Sequence, residues 1–91
     1  MIILSQDKLQ IFNFKNAKNI WIEEDEVEIN QIEQVVYSIY IDGEIVGEYK
    51  TEERAKEVLQ EIVSKYKVTL YNPKANETVV NVPKVYEMPI K

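Results

Sequence analysis

The sequence contains no cysteine and no histidine among its 91 residues. Without cysteine no disulfide can staple the fold, so nothing points to secretion. The two absences also exclude a cysteine-based zinc site, a cysteine or histidine nucleophile and a histidine general base. With only Gly43 and Gly47 there is no glycine-rich phosphate loop, and the serines stand in no motif with a base. We therefore predict a protein that is not an enzyme and holds no cofactor.

Long apolar runs are also missing. No window approaches the roughly 18 apolar residues that a membrane-spanning helix needs. The first residues, MIILSQDKLQ, have no basic start and no apolar core of the kind that a signal peptide requires. We expect a cytoplasmic protein with no membrane contact. The net charge of −5 argues against a general binder of duplex DNA and suits a protein that meets a basic partner.

The clearest structural signal is the stretch TEERAKEVLQEIVSKYK, which predicts a helix over Thr51–Lys67. Thr51 is a suitable N-cap, and Glu52 and Glu53 lie in the first turn, where the helix dipole favours anions. The apolar residues recur with helical spacing and form one stripe. They are Ala55, Val58, Leu59, Ile62, Val63 and Tyr66. We expect this face to pack on a sheet.

Strand signals surround this helix. MIIL and LQIFNF predict a short hairpin, and NIWIEEDEVEIN predicts a strand that continues into an acidic extension. VVYSIYIDGEIVGEYK predicts a second hairpin around an Asp42-Gly43 turn, with Gly47 permitting a bulge or a close approach of the helix. After the helix, VTLY and TVVNV are predicted strands, and KVYEMPIK an edge strand or docked tail. The prediction is a single α+β domain over residues 1–91: an antiparallel meander, one packed helix and a short β return.

Three stretches carry a family resemblance: MIILSQD at the start, DGEIVGEYKTEERAKEVLQEI in the middle and KVYEMP near the end. Together they resemble small accessory proteins encoded by phages and prophages of Gram-positive bacteria. The resemblance covers residues 15–34 less well, and Leu4 stands where the pattern has an arginine. It implies no activity and no ligand residues. It implies a phage protein working in the cytoplasm of the infected cell, where such proteins often inhibit host systems.

The acidic run EEDEVE has three interpretations. It can be a contact surface for a basic partner, imitating nucleic-acid phosphates, or a solvated strand edge whose charges prevent pairing with neighbouring molecules. A metal site is the third, since hard cations bind carboxylates, although EF-hand spacing and its glycine are missing; we predict no metal. The carboxylates are Glu23, Glu24, Asp25, Glu26 and Glu28.

Trp21 and Tyr40 alternate with the apolar residues that fill the predicted core. With the acidic run they are predicted partner-contact residues, and ordinary cross-strand pairing is the alternative. Arg54, the only arginine, lies in the first helical turn, where it and free backbone N–H groups can hold an anion. Glu52 and Glu53 compete with that interpretation, so a plain surface role for Arg54 stays open.

These features lead to an expected function. We expect a non-enzymatic, phage-type accessory protein that binds and inhibits a host protein, such as a component of a defence system. One alternative is a protein that binds or sequesters a nucleotide through Arg54, Trp21 and Tyr40. Another is a small structural or assembly protein of a phage. The open edges of a small sheet also predict a homodimer.

Overall fold

The computed structural model describes the backbone of residues 1–70 and 85–91 and the side chains of residues 1–66 and 85–91. It has an α+β fold, as predicted. The residues that the structure describes form two three-stranded sheets, a 3₁₀ turn and an α-helix, and the first sheet contains strands from both ends of the chain. The predicted strand TVVNV lies outside the described residues.

The first sheet joins the two ends of the chain. β1 (Ile2–Leu4) pairs antiparallel with β2 (Ile11–Asn13), which confirms the predicted N-terminal hairpin. β6 (Val85–Glu87) adds to the other side of β1 in parallel, as an edge strand. A 3₁₀ turn at Phe14–Asn16 follows β2 and places the Phe14 ring edge-on to Tyr66, with 4.8 Å between ring centroids.

The second sheet is the predicted meander, with the order β3-β4-β5. Its strands are β3 (Ile20–Ile29), β4 (Ile32–Ile41) and β5 (Glu44–Tyr49). The Asp42-Gly43 turn is confirmed, with both residues at positive φ. A second tight turn at Asn30-Gln31, also at positive φ, joins β3 to β4 and was not predicted. Asparagine tolerates the left-handed region that such a turn requires, so Asn30 was the available signal.

Gly47 accounts for an irregularity in β5. The pairing of β4 with β5 shifts between Ile39 and Tyr40, next to the Ile39–Gly47 pair, which confirms the predicted bulge. A Cβ atom at Gly47 would lie 2.9 Å from the Tyr49 hydroxyl and 3.0 Å from Cε of Met88. The close approach is therefore made by Tyr49 and the C-terminal segment, and not by the helix.

The helix α1 (Glu52–Leu70) begins where predicted but continues further. Thr51 is the N-cap, because its Oγ1 accepts a hydrogen bond from the Arg54 N–H at 3.1 Å. The strand predicted for VTLY is wrong, since Val68–Leu70 continue the helix. Extending an established helix by a few residues costs little, so the β-propensity of valine and threonine did not decide the local structure.

The helix packs its apolar stripe on the second sheet. Ala55, Val58 and Ile62 are fully buried, and Leu59 is half-buried against them. Val63 stays 40% exposed, so the buried stripe is narrower than predicted. The same hydrophobic cluster joins both sheets. Its other members are Ile3, Ile39, Ile41, Val46, Tyr49, Tyr86 and Met88.

Candidate functional site

The acidic run lies in β3, at the edge of the second sheet. Ile22 stands opposite the core residue Ile39, so the even-numbered residues of β3 share the face that α1 covers. The odd-numbered residues point to the opposite side, which we call the outer face. The run is therefore divided between two faces. Glu24, Glu26 and Glu28 lie on the helix side, and Glu23 and Asp25 lie on the outer face.

Trp21 and Tyr40 stand directly opposite each other on the outer face. Their rings are stacked, with centroids 5.3 Å apart and planes 4° from parallel. Each aromatic side chain also donates a hydrogen bond to a carboxylate. Trp21 Nε1 donates to Glu23 Oε1 at 3.1 Å, and the Tyr40 hydroxyl donates to Asp25 Oδ2 at 2.7 Å. We call these four residues the acidic–aromatic face. The structure thus brings together four of the predicted partner-contact residues.

The hydrogen bond between Tyr40 and Asp25 favours the protonated form of the phenol. Together with desolvation of the phenol, it raises the pKa of Tyr40 to about 12. The Tyr40 hydroxyl is the donor in this bond, which orients the Asp25 carboxylate along the surface. The acidic–aromatic face is consequently a pre-organised arrangement of two rings and two carboxylates.

On the helix side of β3, the carboxylates are less constrained. The Tyr37 hydroxyl donates to Glu24 Oε1 at 3.2 Å, and this bond raises the pKa of Tyr37. Glu26 and Glu28 are exposed, and within residues 1–66 and 85–91 their side chains have no hydrogen-bond or ion-pair partner. These charges are therefore available to a binding partner.

The end of the β3–β4 hairpin is apolar as well as acidic. Ile32 is 61% exposed, and Ile29 and Val35 are also exposed. Ile29 and Ile32 form the cross-strand pair beside the Asn30-Gln31 turn. Exposed branched side chains next to unpaired carboxylates add contact area for a partner.

Arg54 lies in a different place from the acidic–aromatic face. Its Nε donates to the main-chain oxygen of Lys91 at 2.9 Å, and its Nη1 contacts Glu57 at 3.2 Å. It lines a groove of about 560 Å³ whose wall includes Lys50 and Val36 but neither Trp21 nor Tyr40. The structure therefore does not bring together the three residues predicted for a nucleotide site.

Ser38 lies in the middle of the outer-face register, between Glu23 of β3 and Glu48 of β5. Its side chain is fully buried, yet its hydroxyl has no hydrogen-bond partner within the described part of the chain. A buried unsatisfied hydroxyl costs about 1 to 3 kcal/mol. We find no structural gain that offsets this cost.

Gln6 connects β5 to the C-terminal segment, a role that the sequence did not predict. Its side-chain amide hydrogen-bonds to both backbone groups of Glu48, as a residue on a paired strand would. Oε1 accepts from the Glu48 N–H at 2.8 Å, and Nε2 donates to the Glu48 carbonyl at 3.1 Å. The same Nε2 lies 2.9 Å from the Pro89 carbonyl and 2.8 Å from that of Ile90. We call this set the Gln6 junction. A lone glutamine in a turn gives no signal of such a role.

The comparisons with known proteins add no assignment. No protein-family model, curated protein sequence or solved structure matches this chain. In residues 1–66 and 85–91, no group of three or more acidic side chains is placed to hold a metal ion. Among the described residues, no helix is both long enough and apolar enough to span a bilayer.

Proposed function

We propose that the protein is a non-enzymatic binding protein that contacts a basic surface of another protein through the acidic–aromatic face and the adjoining edge of β3. The observation that carries this proposal is the Trp21–Tyr40 stack, in which each ring is hydrogen-bonded to a carboxylate. Tryptophan and tyrosine are enriched among the few residues that contribute most of the binding energy of protein interfaces. Fixing both rings and both carboxylates in advance lowers the entropy lost on binding.

The electrostatics support the same type of partner. Five carboxylates within six residues concentrate negative charge in a chain of net charge −5. Such a surface raises the rate of encounter with a basic partner and repels acidic ones. We propose that the partner is a host protein and that binding inhibits it, as in a phage accessory protein acting on a host or defence system. The resemblance to phage proteins supports this biological setting.

Affinity capture from a bacterial lysate tests the proposal. The tagged protein is compared with a Trp21→Ala/Glu23→Gln variant, which removes half of the acidic–aromatic face. Leu9→Ala is the matched control, because Leu9 is an 81% exposed apolar residue in the loop between β1 and β2. We expect one protein to be captured by the wild type and by Leu9→Ala but not by the face variant.

The captured protein must then be purified and its activity measured with and without the wild-type chain. Inhibition by the wild type and not by the face variant would support the proposal. Capture that survives in the face variant would contradict it, because another surface would then carry the binding.

A second candidate function rests on the groove beside Arg54. Lys50 has no hydrogen-bond or ion-pair partner among the residues described, and the groove volume of about 560 Å³ is in the range of small-molecule sites. A nucleotide or a similar anion would raise the melting temperature of the protein if it binds there. Loss of that shift in Lys50→Gln would locate the ligand in the groove.

A further inference from the structure

The register of the β3–β4 hairpin shows which backbone groups of β3 point away from the sheet. In a hairpin with a two-residue turn, the residues flanking the turn form a hydrogen-bonded pair, here Ile29 and Ile32. At the other end the Asp42 N–H donates to the Asn19 carbonyl at 3.0 Å. Hydrogen-bonded pairs alternate along an antiparallel ladder. Both ends therefore indicate that the odd-numbered residues of β3 bond to β4.

The even-numbered residues of β3 consequently direct their N–H and C=O groups outward. No strand among the described residues pairs with this side of β3. A row of unpaired donors and acceptors is a template for a further strand. Three successive positions of this template carry the carboxylates Glu24, Glu26 and Glu28.

A second copy of the chain fits this template poorly. Antiparallel pairing of the acidic half of β3 with the same half of another copy would place carboxylates directly opposite one another. Like charges in directly opposed positions destabilise a strand pair, whereas opposite charges stabilise it. The edge therefore selects a strand that carries positive charge at alternate positions.

We propose that β3 binds an extended, basic segment of its partner as an added antiparallel strand along residues 22–28. Lysine or arginine side chains of that segment would lie opposite Glu24, Glu26 and Glu28, while its backbone completes the hydrogen bonds of the edge. The inference rests on the proposed binding function and names the chemistry of the bound segment. Glu23 and Asp25 extend the same charge to the outer face.

Synthetic peptides test the proposal without a known partner. The probe is a capped peptide of alternating lysine and threonine, long enough to span residues 22–28. In the added strand, the lysine N–H groups would point toward β3 and the threonine N–H groups away from it. N-methylation of the lysines should weaken binding at least about tenfold, since it removes the edge hydrogen bonds. N-methylation of the threonines should leave binding nearly unchanged.

Amide hydrogen exchange gives a second signature on the unmodified protein. Before the peptide is added, the amides of Glu23, Asp25 and Val27 should already be protected. Those of Glu24, Glu26 and Glu28 should exchange fast and become protected only with the peptide. Alternate protection of this kind is specific to strand addition.

Two variants of Glu26 separate the contribution of its side-chain charge to peptide binding from that of its backbone N–H. Glu26→Gln keeps the outward N–H, whereas Glu26→Pro removes it at an edge position where proline is tolerated. We expect the proline variant to bind the lysine–threonine peptide several-fold more weakly than the glutamine variant. If Glu26→Pro does not fold, the N-methylated peptides still decide the question.

Three results would overturn the proposal. Equal effects of the two N-methylations would mean that the peptide binds side-chain faces only, and the proposed binding function would survive. Protection of the Glu24, Glu26 and Glu28 amides in the free protein at all concentrations would mean that the edge is already paired. Protection that grows with protein concentration alone would mean that a second copy occupies the edge. Failure of the proposed function is distinct, because it is measured by capture that is unchanged in the face variant.

Discussion

At the Gln6 junction, one side-chain amide bonds to backbone groups of β5 and of the C-terminal segment. At the acidic edge, by which we mean residues 23–28 of β3, the Glu26 and Glu28 carboxylates and the outward backbone groups have no partner among the described residues. Both regions are polar and both border the second sheet. A polar group that is satisfied within the chain holds the fold together, whereas one that is left unsatisfied at the surface can bind. Mutations at the Gln6 junction should therefore lower the stability of the fold. Mutations at the acidic edge should weaken partner binding and leave stability nearly unchanged.

The expected resemblance to phage proteins is based on three stretches that lie on one side of this comparison. Each of its three stretches contributes to the Gln6 junction, through Gln6, Glu48 and Pro89 respectively. Tyr49 reinforces the contact by donating its hydroxyl to the Pro89 carbonyl at 2.8 Å. Residues 15–34, which the resemblance covers less well, include all of β3. The stretches quoted for this resemblance therefore belong to the scaffold, and the candidate binding edge lies outside them.

The largest effect is expected at the junction. Gln6→Ala should lower the free energy of unfolding by about 1 to 3 kcal/mol, since it removes several hydrogen bonds to backbone groups of Glu48 and the C-terminal segment, each worth about 0.5 to 1.5 kcal/mol. Gln10→Ala is the matched control, because the Gln10 side chain is exposed. Urea denaturation of both variants measures the difference. Equal stabilities would show that the junction does not hold the two segments together.

The buried tyrosines around the junction should make the fold sensitive to alkali. Burial raises the pKa of Tyr49 to about 12, and burial together with a hydrogen bond to Glu61 raises that of Tyr86. In the unfolded chain both phenols ionise near their ordinary pKa of about 10. Their contribution to stability is therefore complete below pH 10 and is lost as the pH rises toward 12.

Unfolding measured across this pH range, together with tyrosinate absorbance, checks the expectation. Tyr49→Phe should reduce the loss of stability at high pH, although it also removes the bond to Pro89. A free energy of unfolding that stays constant between pH 10 and 12 would contradict the burial of these phenols.

A smaller effect on the free energy of unfolding, of the opposite sign, is expected at Ser38, whose buried side chain lies on the outer face. Ser38→Ala should raise the free energy of unfolding by about 1 kcal/mol, because it removes a buried hydroxyl that has no partner among the described residues. Ser5→Ala is the informative contrast, since the Ser5 hydroxyl donates to Asp7 and accepts from the Gln10 N–H. That variant should be destabilised. Thermal denaturation of the pair would refute the account if Ser38→Ala lost stability as Ser5→Ala does.

The smallest effect on stability is expected at the acidic edge. Glu26→Gln/Glu28→Gln should change the free energy of unfolding by no more than about 0.5 kcal/mol, because both side chains are exposed and have no partner in the part of the chain that the structure describes. Denaturant unfolding checks this. A loss comparable with that of Gln6→Ala would show that the acidic edge is part of the scaffold.

The sequence predicted those parts of the fold that local chemistry determines. Thr51 and the apolar stripe fixed the start and the face of α1, and Asp42-Gly43 fixed one hairpin turn. The end of α1 was not predictable, since Val68–Leu70 have strand propensity but continue an existing helix. The parallel pairing of β6 with β1 and the role of Gln6 depend on contacts between the ends of the chain, which no local pattern encodes.

In the candidate site, too, local sequence predicted some features, whereas others depend on contacts between distant residues. The alternation of apolar residues along the two strands predicts that Trp21 and Tyr40 lie away from the core. Their stacking depends on the register, which the Asn30-Gln31 turn sets. The grouping of Arg54 with the two aromatic residues was based on residue chemistry alone, and the groove beside Arg54 contains neither of them.

The most direct test of the central claim is the association rate with the captured partner. It should be measured for the wild type and for Glu24→Lys/Glu26→Lys, at low and at high salt. We expect the charge reversal to slow association at least about tenfold at low salt, and the difference to shrink as salt screens the exposed charges. The folded state should remain intact, because exposed carboxylates contribute little to stability. An unchanged association rate at low salt would contradict the claim that the acidic edge of β3 is the surface by which this protein finds its partner.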